Sequence, residues 1–332
     1  FGYGQVAKKV FYCEKCSSLV DTNTGCCISC QKNNNIHNFM TLSTIEQVKQ
    51  IMKKENNRPI LTQLRDQQCR RVDDHFQDLL DGQLYQQHQN YFSVAGSLSL
   101  MWYTDVNELP FEQRIRRDNT ILAGLWFGPH KPSPNLFVNT FVDELKILYH
   151  GIYLAVPNLN EKILVRCIVL CGTCDLPAKS SFLNSQQFNS TFECVVCETP
   201  TVATKLPSKR TIRVYRYTRQ YKMRSLAETI VYANEALSKK VGSQMEKSSH
   251  AEKKVKGHSI FDKFMPDYIS GTAIDPTHAI YEGVVKKLIH LWVHSSFSDY
   301  TFSLRPVIHV IDSNLLQIKP PKFIHRMPRS IH

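Results

Sequence analysis

The spacing of apolar residues changes character along this chain, and each change predicts an element. Residues 41–89 are polar and Gln-rich. Within them LSTIEQVKQIMKK and LTQLRDQQCRRVDDHFQDLL repeat apolar positions at helical spacing, so the stretch predicts helices, with Gly82 in LLDGQLY as the stop. GSLSLMWY (96–103) and NTILAGLWF (119–127) are short apolar runs that predict strands. VNTFVDELKILYHGIYL (138–154) has the period of an amphipathic helix, and KILVRCIVLC (162–171) predicts a buried strand. Strand, strand, helix, strand predicts an α/β sheet whose last strand runs parallel to an earlier one through a right-handed crossover. SLAETIVYANEALSKK adds a helix, a polar linker follows near 241–256, and IDPTHAIYEGVVKKLIHLW predicts a last helix running through Trp292.

Composition narrows the class. At 332 residues and 42% hydrophobic content the chain supports a packed core, as one large domain or two smaller ones. Its 41 Lys and Arg against 29 Asp and Glu give a formal charge of +12, which suggests a polyanionic partner, nucleic acid first. No apolar run reaches the length of a membrane span and no signal-peptide pattern opens the chain, so an intracellular protein is expected. In that setting eleven cysteines read as metal ligands or buried thiols rather than a disulfide framework. The start at Phe1 and the stop after PPKFIHRMPRSIH predict that both ends are cut.

The cysteines come largely in C-x2-C pairs. Cys13-x2-Cys16 and Cys27-x2-Cys30, separated by a turn-rich spacer, supply four thiolates at tetrahedral spacing and predict a structural zinc ribbon, with Cys26 spare. Cys194-x2-Cys197 in FECVVCETP predicts half of a zinc knuckle, which Cys171 and Cys174 of the CGTC would complete in space. The CGTC also admits a weaker redox reading, since such pairs sit at a helix N-terminus and here DLP follows directly.

TVATKLPSKRTIRVYRYTRQYKMR (201–224) carries eight Lys or Arg and no acid, interleaved with Tyr215, Tyr217 and Tyr221. On an extended or irregular segment, Lys209, Arg210, Arg213, Arg216, Arg219 and Lys222 would neutralise phosphates while the tyrosines stack on bases or sugars. A solvated basic surface is the plain alternative.

Three acids are placed for chemistry. Asp105 follows the strand SLSLMWYT, Asp175 follows ILVRCIVLCGTC, and IDPTHAIYEGVVKK offers Asp275, His278 and Glu282. If the first two strands are parallel neighbours, their C-terminal ends bring Asp105 and Asp175 together. Adjacent carboxylates repel unless a cation lies between them, and a third acid from a helix would complete a site for two magnesium (or manganese) ions about 3.5 to 4 Å apart. Glu282 is the favoured third ligand, with Asp275 or His278 in support. Each acid has a plainer role: Asp175 as the cap of the turn before Leu176-Pro177, Asp105 as the start of VNELPFEQR, Asp275 as a helix cap ahead of Pro276.

The succession DGQLYQQH, LSLMWYTD, VNELPFEQR, ILAGLWFGPHKPSPN, CDLPAK, FECVVCETP, GHSIFDKF, DPTHAIYEGVVKKL and IKPPKFIHRMPRS resembles the transposases of CACTA (En/Spm-like) DNA transposons, in the form of animal transposase-domain proteins. The resemblance implies a ribonuclease H-like mixed sheet with flanking helices, preceded by the small N-terminal zinc ribbon. It implies a DDE/D-type nuclear enzyme of DNA recombination, cutting at a transposable element's terminal repeats and joining the freed ends to target DNA. Carried onto this sequence, the family's acids fall on Asp105, Asp175 and, in the helix beginning DPTH, Glu282, with Asp275 as the alternative. In the family a glycine and a strand hairpin separate the first aspartate from NELP. Here Asp105 runs straight into VNELPFEQR, which implies impaired catalysis.

These readings predict a zinc-ribbon-like module over 1–38, a helical spacer over 39–95, a core over 96–300 with a basic insertion at about 194–256, and the start of a truncated region over 301–332. The competing expectation is a host-adopted, non-catalytic DNA- or chromatin-binding protein. Either form admits a homo-oligomer, and neither needs a membrane.

Overall fold

A computed structural model describes residues 7–20, 27, 29–30, 36–54, 82–94, 96–103, 121–127, 130–155, 161–187, 190–205, 209, 211–242, 253–319 and 327–330. It is a mixed α/β structure whose contacts divide it into two compact units, 1–273 and 274–332, described in turn.

The first unit opens with strands β1 (Lys8–Cys13), β2 (Leu19–Val20) and β3 (Ile36–Thr41), followed by helix α1 (Thr44–Lys53). Short helices α2 (Gln83–Gln87) and α3 (Gln89–Phe92) lead into β4 (Ser97–Tyr103). Then come β5 (Gly124–Trp126), the long helix α4 (Pro134–His150), β6 (Ile152–Ala155), β7 (Lys162–Cys174) and α5 (Leu176–Phe182). Gly82 stands at the start of α2, and LTQLRDQQCRRVDDHFQDLL, the helix it was expected to stop, lies outside the described residues.

β7 organises this unit. β4 lies beside it in parallel, in register from Ser97↔Arg166 to Tyr103↔Thr173 with a bulge at Leu170, as the alternating elements predict. β6 pairs with its first residues antiparallel, and β10 (Thr272–Ile274) flanks it on the other side. Val165, Cys167, Ile168, Val169 and Leu170 are all buried, which is what an unbroken apolar run in a central strand requires. Val48 and Met52 of α1 pack with Leu148, Leu154 and Val165, so α1 is part of the core rather than a spacer. Leu148 and Val165 are fully buried, and each apolar side chain of this kind stabilises the fold by roughly 1.5–3 kcal/mol. Glu144 of α4 fixes the start of α1, its Oε2 accepting from the Thr44 N–H at 2.6 Å and hydroxyl at 2.7 Å.

Two expectations change. The helix read over 138–154 ends at His150, because Gly151 takes φ +107° and its N–H closes on the Ile147 carbonyl, releasing Ile152–Ala155 into β6. The strand read over 119–127 survives as β5 but joins the other sheet, ordered β2-β1-β3-β5, through Phe39↔Trp126. Tyr12, Phe39, Trp126 and Phe137 close an aromatic cluster there, with Tyr12 and Trp126 ring centroids 4.5 Å apart. The cysteine-bearing strands therefore share a sheet with a strand from beyond residue 120 and do not form a module closed at residue 38.

Strands β8 (Thr201–Lys205) and β9 (Thr211–Tyr215) form a separate antiparallel hairpin, and α6 (Leu226–Gly242) follows. A 3-10 turn, Ile260–Lys263, and the short helix α7 (Tyr268–Gly271) place Ile260, Phe261, Met265 and Tyr268 against Val169 and Val142.

In the second unit the helix predicted after IDPTH begins with a π-helical run, Thr277–Val285, and continues as α8 (Lys286–Val293). Helix α9 (Ile308–Gln317) follows.

Candidate functional site

The four N-terminal cysteines come together as the spacing predicts. The turn after β1 carries Cys13 and Cys16, and Cys27 and Cys30 return beside it. The Sγ atoms all lie within 4.8 Å of one another, with Cys13 to Cys30 at 3.5 Å and Cys16 to Cys27 at 3.3 Å. Zinc held by four thiolates at about 2.3 Å in a tetrahedron sets its sulfurs about 3.8 Å apart, so the cage fits that ion. Cys13 and Cys27 are buried, while hydrogen bonds from Ser18, then from Cys27, lower the Cys16 thiol to about 6. Thiolate character at neutral pH is what a zinc ligand needs. Cys26 lies outside the described residues.

The other pairs differ. Cys171 and Cys174 sit inside β7, where side chains three residues apart point to opposite faces; Gly172 and Cys174 are buried while Cys171 and Thr173 are half-buried. Neither a thioredoxin-like pair nor a shared ligand set with Cys194 and Cys197 fits that geometry. The glycine has a packing reason. A Cβ on Gly172 would lie 2.2 Å from the indole of Trp102, its partner on β4. Cys194 does adopt a knuckle, its Sγ accepting the N–H groups of Val196 and Cys197 at 3.3 Å each. Among the described residues, however, the one group of three or more clustered ligands is Cys13, Cys16, Cys27 and Cys30.

Asp175 ends β7 and begins α5. Its Oδ1 accepts the Ala178 N–H at 2.6 Å, the capping role, while its Oδ2 has no hydrogen-bond partner among the described residues. One oxygen is spent on the cap and the other is not. Asp105 and the segment VNELPFEQR lie outside the described residues; Tyr103, two residues before Asp105, pairs with Thr173, two residues before Asp175. One turn beyond Asp175, buried Lys179 donates to the Thr272 carbonyl and ties α5 to β10. Burial pushes the Lys179 ammonium below its usual range. Sequence gave no sign of this lysine, because burial of a cation has no local pattern.

In the second unit Asp275 spends both oxygens: Oδ1 accepts the Thr277 N–H at 2.8 Å and Oδ2 pairs with His278 Nδ1. Burial by itself would raise this carboxyl, but the hydrogen bonds from His278 and Thr277 outweigh it and hold it below its ordinary range. Glu282, on the π-helical run, is exposed, with no hydrogen bond or ion pair among the described residues.

The basic stretch is extended over 201–205 and 211–215, where it forms a hairpin, and irregular over 216–222, and its cations divide. Lys209, at the turn with φ +62°, and exposed Arg216 and Arg219 make no ion pair among the described residues. Arg213 leans back, its Nη1 donating to Thr201 Oγ1 at 3.2 Å and Thr191 Oγ1 at 3.4 Å. Lys222 is bound to Glu228 at 2.7 Å and Glu198 at 3.1 Å; those hydrogen bonds, Glu228 first, raise its pKa. Arg224 is buried, donating through Nε to the Cys194 carbonyl and through Nη1 to the Lys253 carbonyl. Arg210 lies outside the described residues. The knuckle holds the segment that follows the hairpin: Glu198 N–H bonds the Lys222 carbonyl, Arg224 N–H bonds the Val196 carbonyl, and Cys197 bridges Met223. Among the described residues no helix is long and apolar enough to cross a membrane.

A family model described as Transposase family tnp2 matches residues 89–263, just over half of the chain. The match takes in β4, β7, Asp175, the Cys194 knuckle and the whole hairpin. No curated protein matches the chain.

Proposed function

The chain belongs to the transposase family tnp2, and on that premise we propose that it is a transposon-derived, nuclear DNA transposase of the DDE/D type and CACTA lineage, with a ribonuclease H-like core. The observation that carries this reading is the parallel pairing of β4 with β7. In a parallel sheet, ligands gather beyond the carboxyl ends of the strands, and Asp105 and Asp175 each follow the paired residues Tyr103 and Thr173 by two positions. In this reading Asp105 and the free Oδ2 of Asp175 share bound magnesium or manganese. The third acid that the family resemblance implies is Glu282, with Asp275 as the alternative. Such ions activate an attacking hydroxyl and stabilise the leaving oxygen in phosphodiester transfer. The chain's own part is to hold the carboxylates rigidly: Asp175 through its cap on α5, and α5 through Lys179 on Thr272. The four-cysteine cage holds structural zinc, and the hairpin binds DNA.

The test is nicking of a duplex oligonucleotide by zinc-loaded protein in magnesium or manganese. The reading expects slow, metal-dependent nicking that Asp105→Ala, Asp175→Ala and Glu282→Ala each reduce by at least ~100-fold, since even groups one step removed from a metal cost 10–100-fold. Duplex binding with no nicking in either metal would leave a non-catalytic DNA-binding protein.

A further inference from the structure

We propose that the β8–β9 hairpin is a two-stranded ribbon that enters the major groove of duplex DNA, with its cations set at the ribbon's two ends to meet the phosphates on either side. This rests on the DNA-binding reading above and adds where and how the duplex is held.

The register fixes the two faces. Thr201↔Tyr215, Ala203↔Arg213 and Lys205↔Thr211 share one; Val202↔Val214 and Thr204↔Ile212 share the other. The first face leans on the protein at its base, where Thr201 is buried, Arg213 donates to Thr191 and Thr201, and Tyr215 hydrogen-bonds Glu193. The second presents Val202, Thr204 and Ile212 to solvent, with Ile212 39% exposed. An exposed apolar stripe on a small ribbon calls for an occupant, and charge says which. No carboxylate occurs between 201 and 224, Lys205 and Lys209 lie at the tip, and Arg216 and Arg219 follow the base.

Size agrees with charge. A five-residue strand spans roughly 13–16 Å. The major groove is about 12 Å wide and admits a two-stranded ribbon, whereas the minor groove is about 6 Å wide. Cations at opposite ends of the ribbon are therefore spaced to reach both phosphate walls, while Val202 and Ile212 meet base edges such as thymine methyl groups. The cations at the ends, Lys205, Lys209, Arg216 and Arg219, make neither an ion pair nor a side-chain hydrogen bond among the described residues, whereas Arg213 leans back on Thr191 and Thr201. Lys222 and Arg224 are engaged by the protein and take no part.

The experiment measures binding of the full, zinc-loaded chain to a 30-base-pair duplex of mixed sequence by fluorescence anisotropy across salt concentrations. The triple variant Lys209→Gln, Arg216→Gln, Arg219→Gln should lower the slope of log affinity against log salt by roughly 2.7, and affinity at about 0.1 M salt by more than tenfold. Lys222→Gln should leave the slope unchanged. Ile212→Ala should weaken binding with the slope intact, and methyl green in the major groove should displace the protein while distamycin in the minor groove should not. An unchanged slope in the triple variant, with wild type still bound, overturns the hairpin's role and leaves DNA binding standing. Displacement by distamycin alone, or equal affinity for a 30-nucleotide single strand, overturns the groove assignment. Failure of the wild-type chain to bind any duplex removes both the inference and the reading beneath it.

Discussion

The N-terminal cysteines and those of β7 share one spacing and have opposite fates. Between Cys13 and Cys16 the chain turns, and with Cys27 and Cys30 four sulfurs converge within 4.8 Å. At Cys171 and Cys174 the same two-residue gap lies in an extended strand, so the thiols face opposite sides of the sheet and Gly172 between them makes room for Trp102. Spacing alone does not make a site; the backbone conformation between the cysteines does. Cys194 and Cys197 stand between these cases, with the knuckle's hydrogen bonds but no second pair among the described residues.

This contrast can be broken experimentally. The largest effect is expected at the cage: chelating zinc, or Cys27→Ser, should unfold β1–β3, because binding free energies of about 10–16 kcal/mol at such sites are folding free energy. Thermal unfolding and zinc content would read it out, and a fully folded, zinc-free protein would contradict it. Next is Gly172→Val, which forces a side chain into the Trp102 indole and should cost about 3 kcal/mol or more in chemical denaturation. Oxidation with diamide should form no Cys171–Cys174 disulfide; finding that bridge by mass spectrometry would mean β7 is not a strand there.

Smaller effects sharpen the role of Asp175. Asp175→Ala removes the α5 cap and should cost about 1 kcal/mol of stability, while Asp175→Asn keeps the cap and should cost almost none. Equal losses in the two would argue against the capping geometry. The smallest effect concerns Lys254, whose ammonium is lowered to about 8 by burial and then by Arg224. In the unfolded chain a lysine titrates near 10.4, so between about pH 8 and 10 the unfolded state holds the extra proton and stability should rise with pH. Below pH 8 both states are protonated and the cost of burying the charge is fully present. Lys254→Met should flatten the rise, as read from denaturation midpoints at pH 7, 8, 9 and 10.

Sequence was informative where local pattern and tertiary need coincide. The apolar run of β7, its parallel pairing with β4 and the four-cysteine cage were legible because burial on both faces and metal ligation leave local marks. What escaped was set at long range. Nothing in ILAGLWF says that Gly124–Trp126 will pair with Phe39 rather than with β4, since either sheet satisfies the same side chains. The end of α4 was missed because GIYL continues the apolar spacing of the helix, and only the positive φ of Gly151 breaks it. That Thr201–Lys205 pairs with Thr211–Tyr215 as a hairpin was not legible in the basic stretch, and partners outside the hairpin decide which cations are engaged. At the acids, the sequence offered both the cap and the ligand for Asp175, and the structure shows the cap.

The central claim is that Asp105 and Asp175 hold the same cations. Manganese binding by the full chain, followed by electron paramagnetic resonance in wild type, Asp105→Asn, Asp175→Asn and the double variant, tests it most directly. The account predicts that each single variant loses the bound manganese as completely as the double variant does, the strong non-additivity of a shared site. Independent, additive losses, or a wild type that binds no manganese, would contradict it.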